Sequence, residues 1–217
     1  MKRCVVSFAN GHYLPKLDRL VNSLKDNTDA DILTFTTYEE IGCKPHTEVP
    51  YQFKPYAIWE AIQRGYDSIL WCDSPIIAVQ DISPVFEHIE KHGYLFFNNY
   101  GHPLGKWTNQ TCLDHFGYTR EEAMKIKQIM ACCMGFRIDS EVYGDVEHAL
   151  RLYKSLSDKL YPGSWADHRH DQTVMSFLIE KHGFVIEEGH KTFFIYDHFK
   201  QVPEFQPIAD SVCLISQ

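Results

Sequence analysis

The stretch that decides the fold is YQFKPYAIWEAIQRGYDSILWCDSP, residues 51–75. Apolar residues recur at helical spacing between positions 57 and 62, and Gly65 supplies a natural stop, so this part predicts a short helix. Residues 68–72 form a continuous apolar run, which is typical of a strand covered on both faces. Asp73 follows at the carboxyl end of that strand, where open α/β sheets place their ligands. Because a charge there is costly unless something binds it, Asp73 is the first functional candidate.

Strands and helices alternate along the first half of the chain, with strands predicted over 3–8, 31–35, 68–72 and 94–97. Such alternation implies a parallel sheet with right-handed crossovers. The second half is less regular, with strands predicted over 129–138, 184–186 and 192–196. Helices are predicted over 14–24, 83–91, 119–127, 140–153 and 172–182, with caps at Ser83, Thr119 and Ser140. We therefore expect one α/β domain whose central sheet is mostly parallel and flanked by helices.

Composition predicts a globular protein. The 217 residues are 44% hydrophobic and 14% aromatic, which is enough to bury a sizeable core. No apolar run approaches the roughly 20 residues that span a bilayer, and the N-terminus resembles no signal peptide, so the cytoplasm is the expected location. The seven cysteines lack paired spacing, which fits buried thiols in a reducing compartment. A net charge of −8 argues against a broad electrostatic grip on nucleic acid.

The loop after the first strand is a candidate nucleotide site. Ser7, Phe8 and Ala9 lead into a tight turn of small and polar residues, which suits a base and a ribose. The alternative is an ordinary connection between a strand and a helix. The chain has neither a glycine-rich dinucleotide fingerprint nor a Walker lysine, which disfavours Rossmann oxidoreductases and P-loop NTPases.

Lys54 and Asp73 form a second candidate cluster. Lys54 precedes the predicted helix and could reach a diphosphate, or it is a solvated charge at the helix start. Asp73 could hold a divalent cation or a ribose hydroxyl, or it is a cap. Gly135, within a predicted strand, marks either the close approach of a ligand or a packing glycine.

The segment 163–172 forms the last candidate cluster. Asp171 lies at the start of an apolar helix, where capping alone would explain it. Capping does not explain the tryptophan, arginine and histidines beside it, so we interpret the segment as a site. A zinc site at His168 and His170 is a rival interpretation, although no Cys-x-x-Cys or His-Glu-x-x-His accompanies them.

In their order, these pieces resemble glycosyltransferases of the GT-A fold, which use nucleotide-diphosphate sugar donors. The segment Lys54-Pro55-x-x-Ile58-x-x-Ala61-x-x-x-Gly65-Tyr66-x-x-Ile69-Leu70-Trp71-x-Asp73-Ser74 is similar to the run before that family's acidic metal motif. Residues 131–137 resemble its later strand at the sugar pocket, and Asp171-Gln172 resembles the Asp-Gln pair of retaining, family-8-like members. Small phage and bacterial relatives with a Trp-x-Asp-[Ser/Ala] variant are also similar. The resemblance covers residues 1–195, most of the chain.

The resemblance implies a donor site across the carboxyl ends of the first strands, in a domain with a nucleotide-binding half, 1–100, and a sugar and acceptor half, 101–217. The donor would be a UDP-sugar or another nucleotide sugar, and the acceptor a hydroxyl of a glycan, a protein or a modified nucleic acid. The implied contacts are Ser7, Phe8 and Ala9 with the nucleoside, Lys54 with the phosphates, Asp73 and Ser74 with ribose or metal, and Gly135, His170, Asp171 and Gln172 around the sugar. Asp73, Asp171 and Gln172 are the implied catalytic residues.

A divalent cation, Mn²⁺ or Mg²⁺, is implied as the group that neutralises the leaving diphosphate. Asp73 would bind it, with His190 or His198 as a late histidine ligand. One departure from the family's Asp-x-Asp motif matters, because Pro75 stands where the last carboxylate is expected. Asp73 then binds the metal with waters, or Asp171 or a histidine recruits it, or catalysis is independent of metal and a lysine, arginine or histidine stabilises the leaving group.

The reaction course is open at this stage. Asp171 would be the general base of an inverting enzyme, whereas in a retaining enzyme it would orient the sugar while the leaving phosphate assists. The Asp-Gln pair slightly favours retention. Two further hypotheses are a non-catalytic relative that binds a nucleotide sugar or glycan, and a metal-dependent hydrolase or other transferase on a Rossmann-like sheet.

Overall fold

The computed structural model describes residues 1–139 and 141–217. The strands are β1 Arg3–Phe8, β2 Asp31–Phe35, β3 Ser68–Cys72, β4 Ile76–Ala78, β5 Tyr94–Pro103, β6 Lys127–Arg137, β7 Phe194–Tyr196 and β8 Leu214–Ser216. The α-helices are α1 Leu14–Lys25, α2 Phe53–Gln63, α3 Ser83–His92, α4 Gln110–Phe116, α5 Arg120–Ala123, α6 Gly144–Ser155, α7 Ser157–Leu160 and α8 His170–His182.

The central sheet of the described residues has five strands in the order β2-β1-β3-β6-β5. Strand β1 pairs in parallel with β2 and β3, whereas β6 is antiparallel to both β3 and β5. All strands of this sheet other than β6 therefore point the same way. The expected α/β domain with a mostly parallel sheet between helices is confirmed.

Helices cover both faces of this sheet because the side chains of its strands alternate between two cores. Val6 and Trp71 face the core that α2, α6 and α8 complete. Val5 and Leu70, one residue earlier in each strand, face the core that α1 and α3 complete. Every residue of β3 is buried, as its continuous apolar run predicted. None of the described helices is long and apolar enough to cross a bilayer.

Short elements account for most of the differences from the predicted secondary structure. A second sheet, in the order β4-β8-β7, contains the strands β4 and β8, which were not predicted because three residues show no period. The strand predicted over 184–186 is absent from the described residues, where a single bridge from Glu187 to Phe97 stands instead. Strand β5 continues past the predicted end at residue 97 to Pro103.

Of the predicted helix caps in the described residues, one is confirmed and one is wrong. Thr119 and Glu122 form the predicted capping box at the start of α5. Ser83 is not the cap of α3, because its own N–H and hydroxyl donate to Asp81 Oδ1 at 2.9 and 2.8 Å. Ser140, the predicted cap of the following long helix, lies outside the described residues.

Candidate functional site

A cavity of about 270 Å³ opens beyond the carboxyl end of β3. Several segments supply its walls: the entry to α2, the end of β3, the middle of β6, the region around the start of α8, two residues of β5 and one of β7. The lining side chains are Tyr51, Lys54, Asp73, Asn99, His102, Ala131, Cys132, Trp165, Arg169, Asp171, Gln172 and Tyr196. The sequence-predicted residues Lys54, Asp73, Asp171 and Gln172 are thus brought together.

Lys54 is the centre of the polar groups at this cavity. It lies in the first turn of α2, and its side chain is only 4% exposed. Its Nζ donates to the carbonyl of Ala131 at 3.0 Å and lies 3.2 Å from both Asp73 Oδ1 and Asp171 Oδ2. Burial lowers the pKa of Lys54, but the carboxylates of Asp171 and Asp73 outweigh this effect and hold the pKa above its usual value. The side chain is therefore an ammonium that donates hydrogen bonds to Ala131 and Asp73 and forms an ion pair with Asp171.

The side chain of Asp73 is held in place by a residue of the preceding strand, β3. Trp71, two residues earlier and fully buried, donates its indole Nε1–H to Asp73 Oδ1 at 2.8 Å. Residues i and i+2 of a strand share a face, so the indole and the carboxylate point the same way. The Asp73 side chain remains 29% exposed toward the cavity. A ligand in the cavity can therefore reach this carboxylate.

Asp171 is held from the opposite side. It is the second residue of α8, and the hydroxyl of Tyr153, in α6, donates to its Oδ2 at 3.2 Å. The hydroxyl of Tyr161 in turn donates to the carbonyl of Tyr153 at 3.0 Å. Burial raises the pKa of Asp171, and the ammonium of Lys54 opposes the rise. The carboxylate is thus placed by two partners within a dry environment.

Aromatic rings form the wall beside this acid pair. The His170 ring lies between Tyr51 and Trp165, with centroid distances of 5.6 Å to each. Tyr51 and His170 both have positive φ, 60° and 46°, which is uncommon for residues other than glycine. Strained backbone of this kind clusters at functional sites. His170 is not itself a lining residue, and its Nδ1 lies 2.7 Å from the carbonyl of Tyr161.

The predicted nucleoside contacts at the end of β1 do not line the cavity. The Phe8 ring stacks on Phe53 at 4.6 Å within the core. Ala9 is buried and its N–H donates to the carbonyl of Phe35 at 3.1 Å. The Ser7 hydroxyl is also buried, and no described residue is its hydrogen-bond partner.

Other predicted contacts also lie outside the cavity. Gly135 pairs with Leu70 and Leu95 across the sheet, and a Cβ built on it would lie 2.5 Å from Ile89 Cδ1. Gly135 is therefore a packing glycine, the alternative that its sequence context left open. Ser74 is buried but is not a lining residue.

The predicted metal ligand His190 is also absent from the cavity lining. Its Nδ1 lies 2.6 Å from the hydroxyl of Tyr100, and its ring packs on Phe205 at 5.2 Å. The structure therefore does not bring His190 and Asp73 to one lining surface.

Solved glycosyltransferases have similar folds. The apo structure of WbbM, a bifunctional glycosyltransferase, matches 99% of this chain with a TM-score of 0.60 and 11% identity, and the match covers 45% of that protein. A glycosyltransferase involved in glycosylation of the major capsid of PBCV-1 matches the whole chain with a TM-score of 0.59 and 13% identity, over 93% of its own length. The chain has a glycosyltransferase fold. No family model and no curated protein matches it.

A third relative of this glycosyltransferase fold is mouse xyloside xylosyltransferase 1 in its apo form. It matches the whole chain with a TM-score of 0.56 and 9% identity, and the match covers 98% of the mouse chain. The matches cover nearly the whole length of the PBCV-1 and mouse proteins, whereas the chain spans less than half of WbbM.

The donor groups at this cavity do not fit a metal ion held by both carboxylates. Within residues 1–139 and 141–217, no three His, Cys, Asp or Glu side chains form a group that could hold one. Asp73 and Asp171 are the lining carboxylates, and the ammonium of Lys54 already stands within 3.2 Å of each. A cation shared by the two would have to displace this ammonium.

The rival zinc interpretation also fails on geometry. His168 Nε2 lies 2.7 Å from the carbonyl of Leu160, while its Nδ1 accepts the N–H of Asn109 at 3.5 Å. Both ring nitrogens of the neutral side chain are thus engaged by main-chain groups, which leaves no lone pair for a metal. Burial lowers the pKa of His168 to about 4, which keeps the ring neutral.

The sequence does not reveal several residues that build this site, among them the lining residues Asn99, His102 and Tyr196 and the tyrosines Tyr153 and Tyr51. Tyr153 fits the apolar face of its helix, and spacing alone does not show that its hydroxyl reaches Asp171. Tyr51 precedes α2, and its positive φ leaves no signal in the sequence because tyrosine rarely adopts it. Both depend on contacts between distant parts of the chain.

Proposed function

We propose that this protein transfers a sugar from a nucleotide-diphosphate donor to a hydroxyl group of an acceptor. The observation that carries the proposal is the junction of Asp73 and Asp171 on one buried ammonium, at the carboxyl end of the central strands. The glycosyltransferase fold supports it, since open α/β sheets bind their ligands at that edge. The donor class tested first is a UDP-sugar, and the acceptor is a glycan, a protein or a modified nucleic acid.

Retention of the sugar's configuration is favoured. Asp171 Oδ2 faces the ammonium of Lys54 and the hydroxyl of Tyr153, and these two partners hold the carboxylate in one orientation. A carboxylate so held suits orienting the sugar better than removing a proton from the acceptor. Gln172, the adjacent lining residue, presents an amide to the same space. The bond from the anomeric carbon to the diphosphate breaks, the bond to the acceptor oxygen forms, and the acceptor proton passes to the leaving diphosphate.

A second candidate is a non-catalytic relative that binds a nucleotide sugar. Pro75 replaces the last carboxylate of the acidic motif, and Lys54 engages the two carboxylates that remain. A site of this kind could hold a donor without turning it over. The two candidates differ in turnover, not in binding.

The experiment measures release of the nucleotide product from a panel of UDP-, GDP- and CMP-sugars by liquid chromatography and mass spectrometry. The wild type is compared with Asp171→Asn and with the control Asp158→Asn, which alters a surface carboxylate paired with Lys44. We expect release by the wild type and the control, and a loss of about 10²-fold in Asp171→Asn, because the amide would no longer hold the sugar in the reactive orientation. Binding without release, unaffected by Asp171→Asn, would favour the non-catalytic relative. A wild type that neither binds nor cleaves any donor would contradict both.

A further inference from the structure

Two cationic side chains line the cavity, and one of them forms no ion pair with a described residue. Lys54 and Arg169 are the Lys and Arg side chains that line it among the described residues, and Asp73 and Asp171 are the carboxylates. The ammonium of Lys54 already forms ion pairs with both carboxylates and donates to the Ala131 carbonyl. Lys54 is therefore a poor candidate for the phosphate contact that its sequence context predicted.

Arg169 has the opposite character. Its Cζ lies 4.1 Å from the centroid of Trp107 and 4.0 Å from that of Trp165, so two indole rings stack against the guanidinium. Its Nη1 is buried, and no described residue is its hydrogen-bond partner. The indole Nε1 of Trp107, on the same stack, is likewise buried without a described partner. A buried donor without an acceptor is costly, most of all when it is charged.

We propose that Arg169 binds the diphosphate of the donor and makes this contact without a divalent cation. The inference rests on the proposed function for the identity of the ligand. A guanidinium suits the task, because it stacks on aromatic faces and donates two parallel hydrogen bonds to phosphate oxygens. A diphosphate beside this stack would supply acceptors for the unpartnered donor of Arg169.

The geometry also explains why a metal ion is dispensable for this contact. The place between Asp73 and Asp171 is filled by the ammonium of Lys54, and Pro75 offers no side-chain ligand. The negative charge that develops on the leaving diphosphate then needs a fixed cation nearby. Arg169 is such a cation, and its two tryptophans hold it at the cavity wall before the ligand arrives.

A purely structural role is the competing explanation. A guanidinium between two indoles stabilises a loop by cation–π attraction whether or not an anion binds. Arg151 provides the matched case, because its Cζ lies 5.0 Å from Trp59 on a surface helix and it is not a lining residue. Replacing Arg151 removes an arginine–tryptophan contact and leaves the cavity intact.

The experiment uses inorganic pyrophosphate, which probes the diphosphate contact whatever the nucleotide. Titration calorimetry and tryptophan fluorescence, both in excess EDTA, compare the wild type with Arg169→Gln, Arg169→Lys and Arg151→Gln. We expect binding by the wild type and Arg151→Gln, about ten- to a hundredfold weaker binding in Arg169→Gln, and an intermediate loss in Arg169→Lys. Arg169→Lys keeps the charge, so it also serves if the glutamine variant does not fold.

Three results overturn the inference: no pyrophosphate binding by the wild type in EDTA, binding that appears only when Mn²⁺ or Mg²⁺ is added, or equal affinity in the wild type and both Arg169 variants. Failure of the proposed function looks different. If the wild type binds pyrophosphate through Arg169 but releases no nucleotide from any sugar donor, the anion site is supported and the proposed transferase function is contradicted. Conversely, the wild type could release nucleotide from a sugar donor while Arg169→Gln binds pyrophosphate as tightly as the wild type. That result would support the proposed function and contradict the inference about Arg169.

Discussion

Lys54 Nζ and Asp171 Oδ2 lie 3.2 Å apart, and their side chains are only 4% and 3% exposed. The lysine belongs to the first turn of α2 and the aspartate to the first turn of α8, so the pair joins two helices on the same face of the sheet. Asp73 contacts the same ammonium from the end of β3. One cation thus holds together the two carboxylates on which the proposed function depends.

Replacing this cation is predicted to destabilise the fold. Lys54→Met keeps the length of the side chain but leaves a buried carboxylate without its partner, and such changes cost about 3–5 kcal/mol. Lys44→Met is the control, since Lys44 and Asp158 form a pair in which each side chain is about half exposed. Pairs of that kind contribute at most about 1 kcal/mol. Urea unfolding measures both.

The double variant Lys54→Met/Asp171→Asn separates charge from packing. Because it removes the unpaired buried charge along with the cation, we expect it to be more stable than Lys54→Met alone. If Lys54→Met costs no more than Lys44→Met, the buried cation does not stabilise the junction and the prediction is wrong.

Gly135→Ala is predicted to destabilise the protein by about 1–3 kcal/mol through overpacking. The new Cβ would lie 2.5 Å from Ile89 Cδ1 and 2.9 Å from Leu95 Cβ, and neither neighbour is at the surface. Ile89→Val should restore part of the loss by making room. Gly144→Ala is the control, because a Cβ there meets nothing within 4 Å. Thermal unfolding measures stability, and donor binding at a temperature where all variants are folded should stay unchanged. Weaker donor binding by folded Gly135→Ala would instead indicate that this glycine lies next to the bound sugar.

The bounds of β1, β2 and β3 were predicted correctly, although the three strands differ in burial. Every residue of β3 is buried, so its apolar run spans the strand, whereas β2 lies at the edge of the sheet and is mostly half-buried. The end of the apolar run of β3 also marked Asp73 as a candidate. Strands β4 and β8 were missed because a three-residue strand is defined by the partner it pairs with.

The candidate site was predicted in part. Asp73 and Asp171 line the cavity, and both could be proposed from the sequence because they stand at the end of a strand and the start of a helix, positions that a sequence marks. Gly135 is not a lining residue because β6 extends well beyond the cavity, which its middle residues Ala131 and Cys132 line. At about 3.3 Å per residue, the glycine stands some 10 Å further along the strand. Where a strand meets a cavity depends on the tertiary structure.

Stability is predicted to fall in mild acid through His168. Burial lowers its pKa from 6.5 to about 4, so the folded protein holds the ring neutral while the unfolded chain accepts a proton. The stabilisation is therefore present above pH 6.5 and is lost as pH falls toward 4, by up to about 3 kcal/mol. Urea unfolding between pH 7 and 4 should show a smaller loss in His168→Gln than in the wild type. The control, His12→Gln at an exposed position, should retain the wild-type slope. If all three proteins lose stability equally as the pH falls, the pKa of His168 is not lowered by folding and the prediction is wrong.

The indole of Trp71 is predicted to couple energetically to Asp73. Trp71→Phe keeps an aromatic ring in the core but removes the Nε1–H that donates to Asp73 Oδ1 at 2.8 Å. Hydrogen bonds to charged groups contribute about 1.5–3 kcal/mol, so a double-mutant cycle with Asp73→Ala should give a coupling free energy of that size in urea unfolding. The same cycle between Trp59→Phe and Asp73→Ala is the control, because Trp59 packs against Arg151 and Lys154 instead. A Trp71 coupling no larger than this control would mean that the indole fills space without orienting the carboxylate. Donor binding supplies an independent check, since a reoriented Asp73 should weaken it in Trp71→Phe while Trp59→Phe leaves it unchanged.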